Sequence, residues 1–341
     1  MDISKNAASL VAGLLTLSVT GFSQTRDSIP GAVKDSVDVR QRVVAYAADK
    51  FAITRPFNIE FSHAAPYNFS SERNGKSLPG NKVNSFSQIK VSTNINFIKR
   101  KTWFLGATIG YAYTNTDAGL TTSVGGPVTT VEGDFHYLFS SVNFTYFSTL
   151  FNKRTIYTSS ILVDGSDKHF ERIRGIATGT MVLKANQRTK MTAGILLSID
   201  PSAQTPVIPI FSYEHKFNNG LVADVVLPKS AYLRKHVFTN GRVSLGAEMD
   251  RTSFYLYNID GTSQKYEYRQ LDINSGLTYE HLIAKYFVVA AKTGVRITPS
   301  GRIFRKEDSF GSPVFQTSPD PGFYFNVGVS FNPFSLIGKK K

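Results

Sequence analysis

No cysteine occurs in the 341 residues. No disulfide staples the fold, and no thiolate is present to act as nucleophile or metal ligand. After the first two dozen residues no apolar run is long enough for a helix to span a bilayer, which excludes a bundle of transmembrane helices. Acid is scarce: 25 Asp and Glu stand against 39 Lys and Arg, for a formal charge of +14. Such a surplus invites a nucleic-acid reading. The bases nevertheless fall at turns and chain ends, as in Lys99-Arg100-Lys101, Lys153-Arg154, Arg188 with Lys190, Arg234-Lys235 and Lys339 to Lys341. They form no aromatic-basic platform for stacking bases, so nucleic acid is not an expected partner. Anionic lipid and lipopolysaccharide phosphate are. Catalytic signatures are also missing. The six histidines show no HExxH and no metal-ligand spacing, and no Gly-x-Ser-x-Gly elbow occurs. No catalytic, metal or cofactor-binding residue is assigned, and an enzyme is not expected.

Aromatic residues are plentiful, with 26 Phe and 16 Tyr. They recur at every second position. In Gly322–Phe331, Phe323, Phe325, Val327, Val329 and Phe331 share one face of an extended chain, opposite Tyr324, Asn326, Gly328 and Ser330. The pattern returns in Ile89 to Phe97 and, after a tight turn at 99–102, in Trp103 to Tyr113. It appears again in Met191 to Ile199, Leu271 to Tyr279 and Phe287 to Ile297. Each segment has about the ten residues of a tilted membrane strand. The mean hydropathy of −0.14 suits a wall whose every second residue is polar.

Residues 1–23 read as a secretory signal, with Lys5 before an apolar stretch from Leu10 and small residues at Gly21 and Ser23. Residues 24–51 read as a periplasmic lead-in in which Val39, Val43, Val44, Tyr46, Ala47 and Phe51 have loosely helical spacing. Residues 52–334 are assigned to an all-β, antiparallel, up-and-down transmembrane barrel of about 14 strands, and 335–341 to a basic tail. About twelve strands is the alternative, because Leu221 to Leu227 and Ala231 to Val237 are short. Short connections alternate with long ones, the longest expected at 64–85, 115–134 and 299–320. A bulge is expected near Ser140-Ser141, where the alternation changes phase.

If the oily stripe faces lipid, the polar stripe lines a lumen. Lys90, Glu214, Asp224, Glu248, Asp250, Asp272, Glu280, Lys292 and Arg296 are the candidate lumen residues, with Lys216 beside them. They would line a water-filled pore or hold the barrel shut as ion pairs. Porin-like passage of small solutes in an outer membrane is the leading expectation. A structural or partner-binding barrel that uses loops 64–85 and 299–320 is the alternative. A lipid-modifying barrel enzyme acting through His63 or His169 comes last.

Arg55-Pro56-Phe57-Asn58-Ile59-Glu60, Leu227-Pro228-Lys229, Tyr232-Leu233-Arg234, Ser244-Leu245-Gly246 and Thr252-Ser253-Phe254 join the closing strand and the signal in a family pattern. With these the chain resembles outer-membrane β-barrel proteins of Bacteroidetes-type Gram-negative bacteria, in particular a family of such barrels of uncharacterised role. The resemblance implies delivery to the outer membrane and recognition by the barrel-insertion machinery of a C-terminal aromatic residue, Phe331 or Phe334. The tail after Phe334 departs from that pattern.

Overall fold

The computed structural model describes residues 43–341 except 122–127, 201, 204, 259–262, 336 and 338–341. The signal segment, the lead-in as far as residue 42 and most of the basic tail lie outside the described residues. Residues 43–50 are helical, and a 3-10 turn, Ala52–Thr54, follows. The helical path stops there because Pro56 disfavours helical geometry at Arg55, which sits at φ −72° and ψ 150°.

The wall begins with β1 (Phe57–Ala64) and β2 (Tyr67–Arg73), then β3 (Lys76–Lys99), β4 (Trp103–Thr121) and β5 (Val128–Leu150). It continues through β6 (Lys153–Gly165), β7 (Phe170–Ala185), β8 (Thr189–Ile199) and β9 (Val207–Lys216). The short β10 (Leu221–Leu227) and β11 (Ser230–Val237) precede β12 (Gly241–Tyr257), β13 (Lys265–Ile283) and β14 (Phe287–Arg305). β15 (Phe315–Pro319) and β16 (Gly322–Phe331) finish it. Neighbours in sequence pair antiparallel, and β16 and β15 close on β1 and β2.

β1 with β2, and β15 with β16, are each one barrel strand broken at a proline, Pro66 and Pro321, which has no N–H to give the ladder. The closed barrel therefore has 14 strands. The break leaves the register unchanged: Ala64 faces Tyr324 on one side of it and Phe69 faces Pro319 on the other. β10 and β11 are full members of the ladder, which removes the twelve-strand alternative.

Three connections expected to be long loops are mostly strand. Residues 64–85 form the β2–β3 hairpin with its turn at Asn74-Gly75, and 115–134 extend β4 and β5 in register as far as Thr121 and Val128. Of 299–320, only 306–314 and 320 lie outside strands. Ser, Thr, Asn and Gly in these stretches mark wall that projects past the oily belt, where no apolar stripe is required. The bulge expected at Ser140-Ser141 is absent, since β5 keeps one register with β4 and β6 through that point. The hydrophobicity changes phase because Phe135, Tyr137 and Phe139 share the inward face with Ser141, Asn143 and Thr145, whereas Leu138, Val142 and Phe144 face out.

The molecule is apolar outside. Ile161 is 64% exposed, Val142 52% and Ile109 50%, and similar residues continue around the wall. Such a belt exceeds any apolar patch that a water-facing surface normally tolerates. Buried apolar side chains form two small clusters among the described residues, Ala64 with Phe69, Val83 and Phe86, and Leu282 with Val288 and Ile337. Most of the buried interior is polar or charged.

Candidate functional site

Two charge clusters cross the lumen, one at each end. At the short-turn end the helix of residues 43–50 is held by the wall. Lys50 pairs with Asp224 of β10 and lies 2.7 Å from Glu214 of β9, and Tyr46 meets Ser212 Oγ at 3.1 Å. Asp49 receives Arg242 of β12 at 2.8 Å, and Arg242 also lies 2.6 Å from Glu280 of β13. Arg55 fastens the far side: its Nε donates to Ala48 O at 2.9 Å, Nη1 to Ser330 Oγ at 2.7 Å and Nη2 to Glu280 Oε1 at 3.2 Å. Burial opposes the Asp49 charge, but Arg242 and Arg234 beside it hold the carboxyl below its ordinary value. Burial pushes the Tyr46 hydroxyl up to about 12.

The second cluster is built by the outer halves of β12 and β13. Thr298 and Pro299 on β14 oppose the single residue Asp272 on β13, a two-for-one bulge with the proline where no ladder N–H is needed. Beyond this bend both faces of the β12–β13 hairpin are buried: Thr252, Ser253, Phe254 and Tyr255 on one strand, Tyr266, Glu267, Arg269 and Gln270 on the other. The hairpin reaches β5, β6 and β7, and β5 stands opposite β12 in the strand order. Phe254 stacks on Phe135 at 4.1 Å and on Tyr268 at 4.7 Å. Tyr255 donates to Asp164 at 2.5 Å and Tyr257 to Glu171 at 3.1 Å. Glu171 is itself an extra residue in β7, opposite the Asp164-Gly165 step.

Glu267, with a fully buried side chain, is the centre of this cluster. Arg269 lies at 2.6 Å, Arg174 at 3.0 Å, Arg172 at 3.2 Å and Arg251 at 3.7 Å. Asp164 at 3.0 Å from Arg174, and Asp200 at 3.6 Å from Arg172 and Arg174, supply the remaining negative charge. The Arg172 contact is a charge contact without alignment, because neither Arg172 Nε nor Glu267 Oε2 has a hydrogen-bond partner.

Between the two clusters lies a cavity of about 480 Å³. Its floor includes Asp49, Lys50 and Arg55, and its roof Arg251, Thr252 and Ser253. The middle wall carries Lys90 bonded to Asp250 at 2.7 Å and Lys292 bonded to Glu248 at 2.8 Å, with Glu60 4.0 Å from Lys292. Asp272 accepts from Thr298 at 2.5 Å and lies 3.9 Å from Arg296. Of the nine candidate lumen charges, Glu214, Asp224 and Glu280 belong to the lower cluster. Lys90, Glu248, Asp250 and Lys292 line the cavity, and Asp272 pairs with Arg296 beside it. Lys216 is exposed at the turn end.

Sequence reasoning did not single out Arg172, Arg174, Asp164, Asp200, Glu267 and Arg269. The available signal was the loss of alternation in Ser253-Phe254-Tyr255-Leu256-Tyr257 and Tyr266 to Gln270, since a strand buried on both faces has no polar stripe. His63 faces outward, bonded to Ser87 Oγ at 2.9 Å and packed on Phe325, while His169 lies against the Tyr257 ring.

No protein-family model matches the chain, and no curated protein matches it. Among solved structures it is similar to the transport unit of the autotransporter AIDA-I from Escherichia coli, at 11% identity and TM-score 0.31, over 89% of this chain and 100% of that one. It is also similar to an outer membrane channel from Pseudomonas putida F1, at 10% identity and TM-score 0.30, over 80% and 93%. A third is the outer membrane protease OmpT from Escherichia coli, at 9% identity and TM-score 0.25, over 81% and 96%. Scores this low add no argument to the barrel described above, and nothing in these likenesses bears on the Bacteroidetes-type resemblance.

Proposed function

We propose that the chain is a non-enzymatic barrel of the outer membrane that passes small polar solutes through a gated lumen. The oily exterior supports the membrane setting, with outer-membrane lipid against it and the closing strand, ending at Phe331, presented to the insertion machinery. An even strand number leaves both ends of the wall, Phe57 and Phe331, at the short-turn mouth, which is then periplasmic. One observation carries the passage reading: the charged cavity of about 480 Å³ lies between a helix and a hairpin held by ion pairs and hydrogen bonds. Polar contacts of this kind can be exchanged for water or a polar solute with less loss than a dry apolar plug. The helix and the hairpin are the two gates, and the cavity is the transit chamber.

Planar-bilayer recording tests this reading. The full-length barrel should conduct in rare, small steps. Shortening the β12–β13 hairpin to remove 254–267, combined with Arg242→Ala to release the helix, should give frequent and larger ones. A doubly altered barrel that still shifts on a heat-modifiability gel but never conducts would sink passage. It would leave a structural barrel, braced across its lumen by the same ion pairs.

A further inference from the structure

Six short connections join β3 to β4, β5 to β6, β7 to β8, β9 to β10, β11 to β12 and β13 to β14. Each has an exposed lysine in it or close to its strand end: Lys99, Lys153, Lys184, Lys216, Lys235 and Lys285. Arg154 and Arg188 add to two of them. None of the six connections contains Asp or Glu. The acids nearest in sequence, Glu214, Asp224 and Glu280, face the lumen and are taken by Lys50 with Lys190, by Lys50 with Arg234 and by Arg55 with Arg242. The other mouth is mixed, with Glu132, Asp134, Asp167 and Glu307 exposed there. The surplus charge of the described barrel is thus concentrated at one end.

The same turns display bare aromatic rings. Phe151 is 82% exposed and Phe238 88% exposed. Both hold left-handed backbone, at φ 50° and 53°, a conformation that costs a bulky residue more than it would glycine or asparagine. The fold gains nothing in packing from these rings.

Resting on the membrane reading above, we infer that the short-turn mouth is a docking ring for anionic phospholipid headgroups. The lysines meet the lipid phosphates, and Phe151 and Phe238 sit at the level where headgroup gives way to acyl chain. A soluble polyanion would account for the lysines but would leave the rings in water. A headgroup layer accommodates both.

Reconstitution of the full chain in vesicles of equal parts phosphatidylcholine and phosphatidylglycerol tests the ring, with retained lipid counted by native mass spectrometry after extraction. Phosphatidylglycerol should be enriched. The Lys153→Ser, Arg154→Ser variant should lose about fivefold in enrichment for each base removed. Phe151→Asn should also lower retention, while raising the temperature at which the barrel unfolds on a gel. That pairing separates lipid contact from a folding role. Equal retention of the two lipids overturns the ring, as does unchanged enrichment in the serine variant. A chain that stays soluble without detergent and retains neither lipid overturns the membrane reading itself.

Discussion

Replacing Glu267 by glutamine removes the charge around which the folded-in hairpin is gathered. Four guanidinium groups, from Arg172, Arg174, Arg251 and Arg269, then face only Asp164 and Asp200. Taking one partner from a buried ion pair costs about 3–5 kcal/mol, because the charges left behind are already desolvated. Glutamine keeps the volume and one acceptor oxygen, so the lower figure applies. About 3 kcal/mol corresponds to a little over a hundredfold in the equilibrium between the folded-in hairpin and an open one. The absence of cysteine gives a clean reporter. Thr252→Cys, at a position 3% exposed at the base of the hairpin, supplies a single thiol in the whole molecule. Labelled by a water-soluble maleimide on the folded barrel, that thiol should react slowly in the otherwise unaltered chain and about a hundredfold faster with Glu267→Gln, if closing outpaces labelling. Equal rates in two heat-modifiable barrels would refute the argument that the ion pairs hold the hairpin in.

Three further outcomes follow. Asp49 has a folded pKa held below its unfolded value of about 3.9, so its contribution to helix docking is complete above that pH and fades as pH falls toward the folded value. Protease cleavage between the helix and the barrel should therefore rise below about pH 4, and Asp49→Asn should raise it at neutral pH and flatten that profile. Tyr255→Phe removes the 2.5 Å bond to Asp164, at a cost of about 1–3 kcal/mol, and should speed labelling of the Thr252→Cys reporter less than Glu267→Gln does. A side chain at Gly294 would drive its Cβ into the backbone of Ser275 and Gly276 on the adjoining strand, so Gly294→Val should reduce the fraction of chain that migrates as folded barrel.

Period-two alternation was enough to give the wall, because lipid on one side and charge on the other impose it on each residue in turn. It sufficed even for β10 and β11, whose shortness had argued for fewer strands. Alternation failed wherever the exterior ceases to be hydrocarbon. The outer parts of β2, β3, β4 and β5 carry Ser, Thr and Asn on both faces and read as loop, although the backbone ladder runs on through them. It failed again where both faces are dry, in the hairpin bearing Tyr255 and Glu267. For the lumen, parity put acids and bases on one stripe but said nothing about partners. That Arg174 meets Glu267 depends on which strands stand across the cylinder from each other, and that Lys50 meets Asp224 depends on where the helix is seated against β9 and β10. A helix at 43–50 was visible as spacing, but its seat depended on Arg55, which ties Ala48 of that helix to Ser330 and Glu280, residues far away in sequence.

The prolines of the closing seam interrupt hydrogen bonding without moving the alignment. Once β1 has zipped against β16, the neighbouring segments meet already in phase, since a slip of one residue would turn buried Phe69 and Ser71 outward and bring Asn68, Ser70 and Glu72 into the interior. The seam therefore has a hinge that cannot become a frameshift.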